Sequence, residues 1–473
     1  MTGWSNLPAE QLTAGFACLV LLAPAPLAFG QFNPEADLQD QYESIQQTVA
    51  ELEATLGRYD PALIENLTSL ADSAAALNLH FDARTTVERA IQIQRLNLGL
   101  HSAEQIPLYF QMMEHDISAG NWRGVNESMG YLYYLLLEKR ANSEESIIED
   151  LVRLSEFHLI GVAGDAESER ARHFQRAEEL TLLAIEISEF VWDATDLRRI
   201  DLYYSLIKQF YLQSAAIDRG GVTGYSLRAV VPESNWVRPA RIVRARYYRA
   251  GLRLFEEIQR TFAESTDNPR EFLAMVDLYR ADWQVLFSDD NAEEGYRVAY
   301  SGLIESGYDQ DTVNQLLLRP QVLPIPIFHF SAEQALAALQ PSKSSSPSPD
   351  PTSPDLAIQF SDWFDFMPAV PFPRTAPDLQ GSVTGNYSEI QLNVQLDSLN
   401  RVSRWIQGTY ETHLGVVGQF EILTEPDWPD FDRQFLSRRL HFVHFRPRLE
   451  NGVPRTFEGR LIYRAARSDE DNE

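Results

Sequence analysis

Cysteine is nearly missing from this 473-residue chain: Cys18 is the only one, and it lies in an apolar N-terminal stretch. A single thiol forms no internal disulfide and excludes a Cys₂ or Cys₄ zinc site. Lysine is almost as scarce. Lys139, Lys208 and Lys343 stand among 40 basic residues, so nearly all the positive charge is arginine. That charge is outnumbered by 68 acidic residues, and the net charge is -28. Such a surface repels phosphate backbones, which argues against a nucleic-acid partner and favours solubility. Catalytic signatures are missing too: the chain has no Walker loop, no Gly-rich dinucleotide fingerprint and no Gly-x-Ser-x-Gly elbow. Paired carboxylates recur throughout so acidic a chain and single out no catalytic dyad. His441 and His444 in "HFVHF" are three apart, so on a strand they face opposite sides, and no neighbouring carboxylate completes a metal site. The expectation is a protein that is not an enzyme and carries no cofactor and no metal.

What is present is enough for a large core. The length suggests about three domains at roughly 150 residues each, and a hydrophobic fraction of 44% is ordinary for a globular protein. The first thirty residues stand apart. "LTAGFACLVLLAPAPLAFGQ", from Leu12 to Gln31, is apolar and ends on Ala28-Phe29-Gly30, a small-x-small pattern that suits signal-peptidase cleavage before Gln31. Residues 1 to 11 carry no Lys or Arg, which departs from the usual positive leader. An uncleaved anchor is one alternative, since Leu12 to Ala28 is at the short limit for a membrane span; a buried helix is another. The position of Cys18 inside the apolar run argues against a lipid-modified cysteine.

From about Asp37 to Ser306 helical spacing dominates. Leu56-Gly57 recurs as Leu98-Gly99, forty-two residues later. Two amphipathic segments lie between, one carrying Leu63, Leu67, Leu70, Ala71 and Ala74, the next Ala83, Val87, Ala90 and Ile93, both at helical spacing. Ala71, Ala83 and Ala90 let paired helices approach closely. Ala177 and Ala184, then Ala292 and Ala299, repeat the seven-residue spacing of Ala83 and Ala90, and Trp122 and Gly124 take the places of Phe81 and Ala83. At these residues the chain resembles the tetratricopeptide repeat family, in the longer variety found in kinesin light chains. The resemblance covers roughly residues 40 to 306. It implies an irregular α-solenoid whose stacked helix pairs leave a groove for protein or peptide partners. The Arg-rich stretch with Arg238, Arg241, Arg244, Arg246, Arg249 and Arg253 admits two readings, a carboxylate or phosphate clamp or charge balance against acidic helices, and the second is favoured.

Pro320, Pro324 and Pro326 close the helical region. "QPSKSSSPSPDPTSPD", residues 340 to 355, cannot bury a core. It is read as a linker with a reach on the order of 20 Å, separating two units that move independently. Beyond it, "EIQLNVQLD" alternates Ile390, Leu392, Val394 and Leu396, a strand. "RVSRWIQGT" reads as a second strand, "GVVGQFEIL" as an extension of the sheet, and "PDFDRQFLSRRL" as a short helix. Asn451-Gly452 marks a turn before a last strand from Thr456 to Ala465. This order, with Phe445, Arg446, Pro447, Gly452 and Pro454 in place, resembles the C-terminal domain of the TonB family over about residues 380 to 466. Asn400 stands where the family usually has glycine. The resemblance implies β-augmentation, a partner peptide adding to the exposed edge of the last strand, here Arg455 to Ala465. Arg460, Leu461, Ile462, Tyr463 and Arg464 then form the partner-binding edge.

The fold class expected is mainly α, an irregular tetratricopeptide-like α-solenoid with a small C-terminal α+β module. The divisions are residues 1–30 (signal peptide or anchor), 31–339 (helical repeats), 340–358 (Pro/Ser-rich linker), 359–467 (TonB-like module) and 468–473 (acidic tail). The function expected is a periplasmic scaffold or adaptor that binds protein or peptide partners in the bacterial envelope, touching the membrane only if its N-terminal segment stays uncleaved. The alternatives are an inner-membrane-anchored TonB-type transducer coupling to outer-membrane receptors for nutrient transport, and an envelope enzyme with an unrecognised site.

Overall fold

The computed structural model describes residues 34–139, 145–219, 240–265, 269–339, 358–364, 367–369, 387–396, 401–406, 409–413, 417–424, 436, 440 and 443–466. The apolar segment from Leu12 to Ala28, the Pro/Ser tract and the acidic tail lie outside them. The fold is mainly α, with thirteen α-helices among the described residues. They are α1 (Pro34–Leu56), α2 (Leu63–Ala76), α3 (His80–Leu98), α4 (Ile106–Ser118), α5 (Trp122–Lys139), α6 (Ser146–Gly164), α7 (Glu167–Val191), α8 (Arg198–Arg219), α9 (Ala240–Ser265), α10 (Arg270–Leu286), α11 (Ala292–Glu305), α12 (Gln310–Leu317) and α13 (Ala332–Ala338). None is long and apolar enough to cross a membrane.

The principal helix–helix contacts join helices that follow one another in the chain, the near-neighbour organisation of a repeat stack. All nine residues singled out for repeat packing, Leu67, Leu70, Ala71, Ala83, Ala90, Ala177, Ala184, Ala292 and Ala299, are buried in one continuous core. The Leu-Gly pairs are equivalent as well. Gly57 and Gly99 end α1 and α3 with the same left-handed φ of +98°, and each donates its N–H back into the preceding turn, to the carbonyls of Glu53 and Arg95. Glycine adopts that conformation at no steric cost, which is why it ends a helix there.

Polar contacts then stack one pair on the next. Gln111 of α4 donates to Asp72 of α2 at 2.7 Å, and Arg153 of α6 to Glu114 of α4 at 2.8 Å. Gln209 of α8 reaches Thr181 and Ser155, the latter on α6, and Tyr204 of α8 meets Tyr279 of α10 edge to face at 5.3 Å. Thus α2, α4, α6, α8 and α10, the first helices of successive pairs, form one row. In the second row Arg95 of α3 lies over Tyr131 of α5, and Arg176 of α7 over Tyr133 of α5.

Eleven strands are described: β1 (Gln321–Leu323), β2 (Ile358–Phe364), β3 (Met367–Ala369), β4 (Tyr387–Leu396), β5 (Arg401–Ile406), β6 (Thr409–His413), β7 (Val417–Thr424), β8 (His444–Arg446), β9 (Arg448–Glu450), β10 (Val453–Arg455) and β11 (Phe457–Ala466). The main sheet has the order β3-β2-β11-β4-β7. Ile390, Leu392, Val394 and Leu396 of β4 are all buried with Leu461 of β11 and with Leu436 and Leu440, as period-two alternation requires of a sheet with one covered face. Leu436 and Leu440 are helical; the rest of the helix expected around them lies outside the described residues. "RVSRWIQGT", read as a second strand, does not pair with β4: β5 pairs with β6, and β7 takes the place beside β4.

Candidate docking surfaces on the helix row and the terminal sheet

The sequence singles out two surfaces for partners, the repeat face and the edge of the last strand. Segments of the same chain lie on both.

Residues 321–330, "QVLPIPIFHF", form a strap across α8 and α10, a strand over Gln321–Leu323 and then a bent path that begins at a cis Leu323–Pro324 bond. Its own Val322, Leu323, Ile325 and Phe328 are buried. Proline explains its form. Pro324 and Pro326 cannot donate, so no N–H is left orphaned at those positions, but every carbonyl still needs a donor. Three consecutive carbonyls find one from side chains. The Tyr204 hydroxyl donates to the Ile325 carbonyl at 2.6 Å, the Lys208 ammonium to that of Pro326 at 2.7 Å, and the Tyr279 hydroxyl to that of Ile327 at 2.8 Å. The His329 N–H returns a bond to the Tyr279 oxygen at 3.0 Å. Phe328 stacks on Tyr279 at 4.4 Å and meets Tyr204 and Phe272 edge-on or tilted. Burial pushes the Tyr279 hydroxyl above its ordinary pKa, so it stays protonated as a donor at neutral pH.

The strap is joined to the C-terminal module. β1 pairs antiparallel with β8, placing Gln321 opposite Arg446 and Leu323 opposite His444. Arg446 then enters the helical array. Its Nε donates to Asp282 of α10 at 2.9 Å and its Nη2 to the other carboxylate oxygen at 2.5 Å. Both side chains are almost fully enclosed, at 2% and 5% exposure. Nη1 reaches Gln321 at 3.3 Å, and Tyr296 of α11 donates its hydroxyl to Asp282 at 2.9 Å. Burial opposes the guanidinium charge, but the Asp282 carboxylate outweighs it and lifts the Arg446 pKa above the ordinary arginine value. The following hairpin seats on the next helices. Asn451 and Gly452 both take positive φ, +54° and +76°, as a tight two-residue hairpin turn requires. The Asn451 side-chain oxygen accepts from Gln310 at 2.6 Å and from Tyr300 at 3.3 Å, and Leu449 is buried in the helical core. β2 lies against α6, β8 against α10, β9 against α12 and β10 against α11.

Two expectations need correction. The units expected to move independently across residues 340–355 touch through a buried ion pair, a strand pair and a shared core; the composition of a linker says nothing of what its ends contact. The exposed edge expected at Arg455–Ala465 is not exposed. β11 is an interior strand, antiparallel to β4 on one side and parallel to β2 on the other, with Leu461 to Arg464 opposite Ile358 to Ser361. Leu461 is buried, and Arg460 of the same set is half-buried. For Ile462, Tyr463 and Arg464 the backbone pairing alone is described. Among the described residues the outer strands are β3 and β7, and Glu421 and Leu423 of β7 are exposed.

Among the described residues the remaining candidates assemble no site. Arg244 donates to the Leu286 carbonyl and Ser288 and lies over Phe287, Arg249 folds back on the Ala245 carbonyl, and Arg253 is exposed. Arg238 lies outside the described residues. His441 does too, whereas His444 is buried near the Tyr211 hydroxyl. No group of three or more His, Cys, Asp or Glu side chains is placed to hold a metal among the described residues.

Sequence reasoning missed one polar cluster. His158 and His173 share a 2.9 Å contact between their Nδ1 atoms, and His173 Nε2 lies 3.0 Å from Asp165. Asn126 donates to the same carboxylate oxygen at 2.7 Å. If His173 gives its Nε2 proton to Asp165, its Nδ1 accepts from His158, leaving His158 Nε2 as a buried acceptor with no partner among the described residues. Tyr204, Lys208, Tyr279, Asp282 and Tyr296 were missed as well. None of them left a signal in the sequence; Asp282 sits between polar Arg280 and Gln284 in "RADWQVL".

Compared with known proteins, the sequence matches no family model and no curated protein.

Proposed function

We propose that the protein is a non-enzymatic scaffold that docks protein or peptide partners in the bacterial envelope. The observation that carries this reading is the strap: the first-helix row holds ten residues of non-helical chain through side-chain donors to backbone carbonyls and buried apolar side chains between them. A row that holds one such segment in this manner has the chemistry to hold a partner. The tetratricopeptide-like pairing of helices and the TonB-like order of the module are part of the same proposal. So is the envelope location, which rests on the apolar stretch from Leu12 to Gln31.

The sheet contributes a second docking element at β7, an outer strand, rather than at β11. Photo-crosslinking in cells from Glu421 and Leu423, with captured proteins identified by mass spectrometry, tests the scaffold. Reproducible capture of defined periplasmic proteins supports it. Capture of outer-membrane receptors replaces it with the transducer reading. A folded, exported protein that captures nothing from β7 overturns it.

A further inference from the structure

We propose that the face across α8 and α10 is a binding site for proline-containing apolar peptides, closed in cis by residues 321–328 and latched by β8 through Arg446. This rests on the docking reading and names the ligand class of one of its surfaces.

The recognition chemistry is visible in the occupant. Tyr204, Lys208 and Tyr279 read three successive carbonyls and no side-chain polar group, so they accept any backbone held in that path. Specificity comes from the apolar positions. Leu323, Ile325 and Phe328 are buried, and prolines between them remove N–H groups that would otherwise need acceptors. Pre-set φ at proline also lowers the ordering cost of the ligand.

The latch follows from the strand pair. β1 is held from below by α8 and α10 and from the side by β8, and β8 is held by the Arg446–Asp282 pair. Lifting the strap breaks the pairing of Gln321 with Arg446 and removes the Gln321 contact to the guanidinium. A trans peptide that replaces the strap therefore loosens the C-terminal module. The strap is tethered at both ends, by α12 and α13, so its effective concentration is on the order of millimolar or above, and a free peptide competes poorly against the intact chain.

The test uses the full chain and a fluorescent synthetic peptide with the sequence of residues 324–330, which keeps the three carbonyls that are read but omits β1 and so cannot re-form its pairing with β8. A strap variant, Leu323→Ser/Ile325→Ser/Phe328→Ser, is checked for helicity by circular dichroism. It is expected to bind the peptide saturably at one to one, at least about tenfold tighter than the unaltered chain. Adding Tyr204→Phe and Lys208→Met to that background removes two hydrogen bonds and should weaken binding about tenfold or more. A peptide with Pro324 and Pro326 replaced by alanine should bind more weakly. On addition of peptide, hydrogen exchange in residues 444–455 should rise. A folded strap variant that does not bind the peptide overturns the site, and unchanged exchange with peptide bound overturns the latch. A variant that fails to fold even with saturating peptide shows that the strap is an inseparable part of the core, which also overturns the proposal. None of these outcomes touches crosslinking at β7, so the scaffold reading is judged separately.

Discussion

The Arg446–Asp282 pair sets the energetics at the scale of single residues. Taking two charges out of water is costly, and their attraction repays it only with good geometry and satisfied neighbours. Here both guanidinium edges, Gln321 and Tyr296 complete the site. Asp282→Asn leaves a cation enclosed without its counter-ion and should destabilise by about 3–5 kcal/mol in urea denaturation. The double replacement Asp282→Leu/Arg446→Leu should recover at least half of that loss, although Tyr296 then lacks its acceptor; strictly additive effects would contradict the pairing. His158 gives a pH dependence. Burial first, then the charges of His173, Arg176 and Arg172, hold its pKa well below the usual histidine value, with the Asp165 carboxylate beyond His173. The unfolded chain takes up this proton near pH 6.5, while the folded chain does not. Stability is therefore full above that pH and falls as pH drops through it, by at most about 1.4 kcal/mol per pH unit until the folded value is reached. His158→Gln should show a shallower fall in Tm between about pH 6.5 and pH 5; parallel profiles would remove His158 as the cause.

Close approach decides which glycines matter at the scale of elements. A Cβ at Gly251 of α9 would lie 2.2 Å from the Trp283 ring of α10, whereas at Gly130 of α5 it would meet nothing within 4 Å. Alanine raises helix propensity at both by up to about 1 kcal/mol, but at Gly251 overpacking of about 1–3 kcal/mol opposes it. Gly251→Ala should lower Tm and Gly130→Ala should raise it slightly, and equal effects would mean that α9 and α10 are not so tightly packed. The repeat helices were legible because small residues recur at fixed spacing in Ala83 and Ala90, and in Ala177 and Ala184. β4 was legible because Ile390, Leu392, Val394 and Leu396 alternate. The pairing of β5 was not, because an antiparallel neighbour is chosen by geometry across residues that carry no pattern of their own. Nor was β2, which joins β11 in parallel from across the sequence.

At the scale of the molecule, the C-terminal module is packed on the helical row and not merely tethered to it. Ending the chain after residue 339 removes β8, Arg446 and Leu449 together, leaving Asp282 buried without its cation and baring the apolar surfaces of α10 and α11. Tm should fall by several degrees, since the uncompensated Asp282 alone costs about 3–5 kcal/mol and each 1 kcal/mol is worth roughly 1 °C in a chain of this length, and binding of an apolar dye should rise. A truncated protein as stable as the whole would show that the module contributes tethering alone.

Composition, spacing and turn chemistry acted locally, so the sequence alone determined that the body is helical, where its close-packed alanines lie, that β4 has one buried face and that Asn451-Gly452 turns the chain. What lies on each surface was decided only in three dimensions. Arg446 finds Asp282 across a separation of 164 residues, and the carbonyls of Ile325, Pro326 and Ile327 find donors on two helices distant in the chain. Neither charge nor proline announces its partner, because a buried polar group requires some partner of the right chemistry, and only the packing of the helices determines which one is within reach.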